Sequence, residues 1–207
     1  MMTEKLDLRK QFKHLYRPSA KKPEIVDVPA MNFLMIDGQG NPNTHPDYPE
    51  TIEALYGVAY TIKFACKKEL ERDFTVMPLQ GLWWGIPITH EVLTEADKDQ
   101  FLWTMMIMQP EFVTEAMVHD AVSKVERKKG LPTLANLRFE RFKEGLAAQV
   151  LHIGTYDAEG PTIERLHQFI EGKGYRMRGK HHEIYLGDPR RAAPEKLKTI
   201  IRHPVGR

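Results

Sequence analysis

The sequence has a single cysteine, Cys66, among 207 residues. One thiol excludes an internal disulfide framework and any zinc site built on cysteines, and it fits a reducing, cytoplasmic compartment. Neither sign of charge is in excess: 30 Lys and Arg stand against 28 Asp and Glu, for a net charge of +2. That balance provides neither the basic footprint of a nucleic-acid binder nor the acidic face of a DNA mimic. Long apolar runs are also missing. The most apolar stretch, Phe101 to Met108, falls well short of the roughly 20 residues a membrane-spanning helix needs. The N-terminal stretch up to Lys22 has no apolar core of a secretion signal.

The motifs of common cofactor and metal chemistry are absent too. There is no HExxH, P-loop or GxSxG pattern. Gly38-Gln39-Gly40 lacks the third glycine and the following helix of a dinucleotide fingerprint. His181 and His182 are adjacent, so on a strand they point to opposite faces and are poorly placed to chelate one ion. No metal and no cofactor is expected. His152 and His167 lie on apolar segments and suit hydrogen-bonded core roles.

What is present is ordinary globular composition, 42% hydrophobic and 28% charged, enough for a packed core. Residues 1–23 alternate basic and aromatic groups and read as a surface arm or short lead-in helix, from which Tyr16 could cover a cleft. Met31 to Gly38 reads as a strand with a glycine exit, followed by a loop dense in Gly, Pro, Asn and Asp. Ile52, Leu55, Ala59 and Ile62 repeat at helical spacing from about Pro49 to Lys68, with Tyr56, Tyr60 and Phe64 as a second stripe beside them. Strands are expected at 72–79, broken by Pro78, at 81–85 and at 101–108. A second helix is expected over 114–128 on the stripe Val113, Met117, Ala121 and Val125, ending in a basic turn and Gly130. Residues 137–142 and 146–153 read as a β-hairpin around Lys143-Glu144-Gly145. A third helix is expected over 162–172 with Ile163, Leu166, Phe169 and Ile170 buried. A strand follows at 181–186, and a last edge strand at 199–205. The basic tail to Arg207 reads as a solvated edge. The rhythm strand–helix–strand–strand occurs twice without the regular alternation of a doubly wound sheet, so the fold class is antiparallel α+β.

Several segments in this order resemble the GyrI-like (gyrase-inhibitor-like) small-molecule-binding family, related to the effector domains of multidrug-sensing transcription activators. They are Phe33-Leu-Met-Ile-Asp-Gly38, Leu55-Tyr-Gly-Val-Ala-Tyr-Thr-Ile-Lys63, Pro78-Leu-Gln-Gly-Leu-Trp83, Gln109-Pro-Glu-Phe-Val113, Leu151-His-Ile-Gly-Thr-Tyr156 and His182-Glu-Ile-Tyr-Leu-Gly-Asp-Pro189. The resemblance implies a single domain over 24–207, with two pseudo-symmetric halves of about 24–109 and 110–205 and a ligand cleft between them. It looks like the free-standing branch, without a DNA-binding domain.

Glu183 is the most informative residue. Strand alternation puts Glu183 and Tyr185 on one face, with Ile184 and Leu186 on the other, packed against helices. From the residues alone, a solvated glutamate paired with Arg178 or Lys180 is the plainer reading. The resemblance implies instead a cleft glutamate that helps hold cationic ligands. Tyr56, Tyr60, Trp84, Trp103, Tyr156, Tyr185 and Met105 are the expected lining, since aromatic faces suit planar apolar or cationic ligands. Core packing is the plainer role for any one of them. Which of Trp83 and Trp84 faces inward stays open, with Trp84 preferred. Two functions follow from the resemblance: sequestration of planar, hydrophobic, often cationic compounds, or hydrolysis of the strained cyclopropane of DNA-alkylating natural products. In the second, Glu183 is the general base and Tyr56, or alternatively Tyr185, the donor to the developing oxyanion. The expected partner is a small ligand, with no nucleic acid and no membrane.

Overall fold

The computed structural model describes residues 5–86, 94–189 and 191–207. Among these, the strands are β1 (Glu24–Gln39), β2 (Leu79–Trp84), β3 (Leu102–Gln109), β4 (Arg138–Ile153), β5 (Arg176–Met177), β6 (His181–Tyr185) and β7 (Lys198–Gly206). The helices are α1 (Leu8–Gln11), α2 (Lys13–Tyr16), α3 (Asp47–Glu69), α4 (Glu95–Lys98), α5 (Glu115–Lys129) and α6 (Gly160–Gly172). The sheet is antiparallel and runs β4-β1-β3-β2-β6-β7, and β7 pairs back onto β4 to close it into a barrel. Closure leaves these strands without an open edge.

The expected two-half α+β architecture is present. One half is β1-α3-β2-β3 and the other β4-α6-β6-β7, joined through α5. The strand order is the same in each half, so β2 meets β6 at one seam and β1 meets β4 at the other. Gly81 lies opposite Glu183 at the β2/β6 seam. On the outer face, α6 packs Ile163, Leu166 and Ile170 onto Ala148, Val150 and Ile201. Helix α3 buries Ala54, Leu55, Val58, Ala59 and Ile62 between the sheet and α5. Gly57 sits at the α3/α5 crossing, where a Cβ would meet Val125 at 3.3 Å. Helix α5 starts on Thr114, whose side chain accepts from the Met117 N–H, and ends on left-handed Gly130, as its sequence signals predict. No helix among the described residues is long and apolar enough to cross a membrane.

Five expectations are corrected. First, 138–153 is one continuous strand, paired with β1 in a single register, not a hairpin. Gly145 has φ +76°, and it breaks the side-chain alternation instead of reversing the chain. Glu144 and Gln149 are five residues apart, yet both meet the same Arg202 guanidinium. Second, residues 72–78 form no strand beyond a bridge between Leu6 and Phe74; β2 begins just after Pro78, which has no N–H for a ladder. Third, β7 is not an edge strand: it lies between β6 and β4. Fourth, the arm is part of the core. Leu15 is 0% and Tyr16 3% exposed, and the Gln80 amide donates to the Tyr16 hydroxyl, which donates to Met108 Sδ.

Fifth, Arg202 is a buried ion, not part of a solvated tail. It bonds Glu144 at 3.2 Å, Gln149 at 2.9 Å and the Leu15 carbonyl at 2.9 Å. His182 completes the cluster between Glu144 (3.0 Å) and Gln80 (3.0 Å). Burial alone would raise the Glu144 carboxyl, but His182 and Arg202 outweigh it and hold it down at about 2. Burial also lowers His182, against the pull of Glu144. These residues fill the barrel interior, the face opposite the helices.

Candidate functional site

The register decides which residues of the β2/β6 seam look outward. Glu183 pairs with Ile201, and Ile201 packs under α6, so Glu183 lies on the helix-bearing face. His181 and Tyr185 share that face by alternation, while His182 and Ile184 turn into the barrel. Ile184 therefore packs on Ile200 inside the barrel, not on helices as expected. The same alternation puts Trp83, opposite His181, on Glu183's face. Trp84 points the other way, with Lys180 Nζ 3.2 Å from its ring centroid. The preference for Trp84 as the inward tryptophan is corrected to Trp83.

The Glu183 side chain is 15% exposed. The Tyr185 hydroxyl donates to its Oε2 at 2.7 Å, and His181 Nε2 lies 3.1 Å from its Oε1. The Trp83 indole N–H in turn donates to the Tyr185 hydroxyl at 3.1 Å. This chain runs through the space left by Gly81: a Cβ there would lie 2.7 Å from Trp83 Nε1 and 3.1 Å from the Tyr185 hydroxyl. No lysine or arginine among the described residues is within salt-bridge distance of Glu183. The carboxylate is thus oriented by a tyrosine hydroxyl and an imidazole ring, not by a lysine or arginine among the described residues.

The remaining expected residues take three positions. Tyr156 is 42% exposed, with its ring edge-on to Tyr185 at 5.7 Å. Tyr56 is half-buried on α3, close enough to act on Tyr156 electrostatically, with its ring tilted against Tyr60 at 6.2 Å. Tyr60 lies farther out along the helix and is 46% exposed. Trp103 and Met105 are 1% and 0% exposed and form the floor beneath α3. Gly38 makes room for Trp103, whose indole N–H donates to the Gly40 carbonyl at 3.2 Å.

Two residues outside the expected set belong here. Tyr48, at the start of α3, bridges Trp103 (5.3 Å) and Trp83 (6.1 Å). Glu159 immediately precedes α6 and is 4% exposed. Both fall in stretches whose Gly, Pro and Asp content reads only as loop or turn. Burial raises the Tyr48, Tyr156 and Tyr185 hydroxyls, and the Glu183 charge raises them further; Tyr156 reaches about 12. All three are neutral donors at physiological pH. His152 sits behind the site between Thr162 (3.0 Å) and the Thr155 carbonyl (3.0 Å), in the hydrogen-bonded core role its apolar strand suggests. Among the described residues no group of three or more His, Cys, Asp or Glu is placed to hold a metal ion.

Comparison with known proteins places this geometry. The chain is similar to an uncharacterized conserved protein from Listeria innocua, with 41% identity and a TM-score of 0.87 over 98% of this chain and 100% of that one. It is also similar to a hydrolase from Listeria innocua, with 40% identity and a TM-score of 0.85 over the same shares. The C-terminal domain of EcmrR shares the fold at 14% identity and a TM-score of 0.55, over 90% of this chain and 98% of that domain. No protein of curated function matches. The GyrI-like small molecule binding domain matches residues 21–205, and the chain belongs to that family.

Proposed function

We propose that the outer cleft over the β2/β6 seam binds planar, hydrophobic, often cationic small molecules, with Glu183 as its negative pole. The carrying observation is a carboxylate only 15% exposed, held by Tyr185 and His181, with no lysine or arginine paired to it among the described residues. Tyr156, Tyr56, Tyr48 and Trp83 supply ring faces around it. Ring faces attract cations, and stacking is weakly directional, so one cleft accepts many flat ligands. Burying about 400 Å² of ligand apolar area at ~25 cal/mol/Å² contributes roughly 10 kcal/mol before ordering costs, enough for micromolar affinity. Fluorescence titration with a flat monocationic dye tests this. Glu183→Gln and Trp83→Ala should each weaken binding about tenfold or more; wild-type affinity in both variants would place the ligand elsewhere.

A second reading is favoured by the relative described as a hydrolase. Glu183 takes a proton from water, and the water oxygen bonds to the strained cyclopropane carbon of a DNA-alkylating natural product. The ring C–C bond breaks, and its electron pair passes to the conjugated carbonyl oxygen, which gains a proton from Tyr56; the proton taken up by Glu183 passes to solvent and Tyr56 regains one from it, closing the cycle. Tyr185 is the alternate donor, although its hydroxyl is directed at Glu183. Mass spectrometry separates the two readings. Turnover to a water adduct supports hydrolysis; recovery of unchanged compound in stoichiometric complex supports binding alone.

A further inference from the structure

Neither reading uses Glu159, although it is the more deeply buried of the two glutamates at the site. It approaches Glu183 closely enough for one carboxyl to hydrogen-bond the other. Two ionised carboxylates are both acceptors and repel each other, so such a contact needs a proton between them. Glu159 Oε1 is enclosed and meets no N–H or hydroxyl donor among the described residues. It is a buried polar atom with capacity to spare at the wall of the cleft.

Among the described residues no lysine or arginine is paired with either carboxyl. His181 and Tyr185 face the pair from β6, and Thr199 from β7. Tyr48 faces it from α3, and Tyr156 and Asp157 from the turn before α6. His152 of β4 lies within electrostatic reach of Glu183, and Asp188 within reach of Tyr156. Lys98 is directed to Glu95 at 3.0 Å and Asp157 at 4.0 Å.

We propose that Glu159 and Glu183 share one proton, and that Glu159 thereby sets the ligand charge the cleft accepts. A monocation binds the pair as it stands, whereas a dication binds with expulsion of the shared proton. The inference rests on the reading of Glu183 as the cleft's negative pole. The exchange balances: the Glu159 O–H bond breaks, the proton passes to solvent, and the second ligand charge faces the new carboxylate. Burial, then the Glu183 charge, push the Glu159 carboxyl well above the ordinary carboxylate range, which favours keeping the proton on the pair until a second positive charge displaces it.

Ethidium and propidium test this, because they share a phenanthridinium ring and differ by one quaternary ammonium. Calorimetric titration of the full chain at pH 7.5, in two buffers of different ionisation enthalpy, counts the protons released. Ethidium should release about none and propidium about one. Glu159→Gln should weaken propidium about tenfold more than it weakens ethidium and abolish the proton release on propidium binding. Propidium binding without proton release by the wild type overturns the proposal without needing any variant. Equal weakening of both dyes by Glu159→Gln also overturns it. Loss of ethidium binding in Glu183→Gln, without proton release on propidium binding, sinks the shared proton alone. Full ethidium binding by Glu183→Gln removes the reading of Glu183 as the negative pole, failure of the wild type to bind either dye removes the cleft reading, and either takes this inference with it.

Discussion

Gly81 and Glu183 face each other across the β2/β6 seam, and the side chain Gly81 lacks is the space through which Trp83 and Tyr185 reach the carboxylate. Gly81→Ala should therefore displace the Tyr185 hydroxyl from Glu183. The expected cost is about 1–3 kcal/mol in urea unfolding, as for other overpacked sites. Cationic dye affinity should fall about tenfold when the oriented acceptor is lost. A Gly81→Ala protein that keeps full dye affinity would show that Glu183 is oriented without this chain.

The Tyr185 hydroxyl accepts from Trp83 and donates to Glu183, so its removal strands two buried groups at once. Tyr185→Phe should destabilise by about 1–3 kcal/mol, the usual penalty for unsatisfied buried polar groups. Trp83→Phe removes only the outer donor and should cost less. The double variant should cost less than the sum of the singles, because both changes break the same bond. Additive losses in chemical denaturation would mean that the indole and the phenol act independently.

The legible parts of this fold are those set by local chemistry. Thr114 and Gly130 mark α5, the apolar 101–108 run marks β3, and the Leu55, Ala59 and Ile62 stripe marks the buried face of α3. Alternation within β6 also separates Glu183 from Ile184. It cannot say which face carries helices, because that depends on the distant pairing of Glu183 with Ile201. Barrel closure between β4 and β7 is likewise a long-range fact. Gly145 suggests a turn, and only β1 running alongside turns it into a bend in a continuous strand. Arg202 lies in a basic segment of ordinary appearance; its burial depends on Glu144, 58 positions away. Glu159 is hidden for a simpler reason. Its neighbours Gly160 and Pro161 announce a turn, and a turn says nothing about which wall it touches. Trp83 and Trp84 differ only in phase along β2, and the phase is set by the partner strands.

The interior ion cluster predicts acid sensitivity. Glu144 is held near 2, below its ordinary value of 4.5. Its stabilisation is therefore present above about pH 4.5 and lost as pH falls toward 2. Burial lowers His182 from 6.5, so its contribution also declines as pH falls below that value. Glu144→Gln leaves the Arg202 guanidinium, 1% exposed, without its anion. It should cost about 3–5 kcal/mol at pH 7, with the deficit shrinking below pH 4.5 where the wild type loses the same charge. A deficit that stays constant down to pH 2 would show that lost packing, not lost charge, is responsible.

Glu159 predicts the opposite dependence. Burial, then the nearby Glu183 charge, push its folded-state carboxyl well above the ordinary 4.5, so the fold favours its protonated form. Its stabilisation is complete below pH 4.5 and declines as pH rises above that value, because the unfolded chain ionises freely while the buried group does not. Glutamine ionises in neither state and can still offer an N–H to Glu183. Glu159→Gln should therefore match the wild type near pH 4.5 and exceed it increasingly as the solution becomes more alkaline, by up to ~1.4 kcal/mol per pH unit. A stabilising change beside a functional cleft is what a strained, functional carboxyl implies, since the native residue is kept at a cost to the fold. Urea unfolding at pH 5, 6.5 and 8 reads the trend directly. A difference that is flat or narrows with pH would mean that Glu159 ionises normally in the folded protein, and the proton shared with Glu183 would be lost with it.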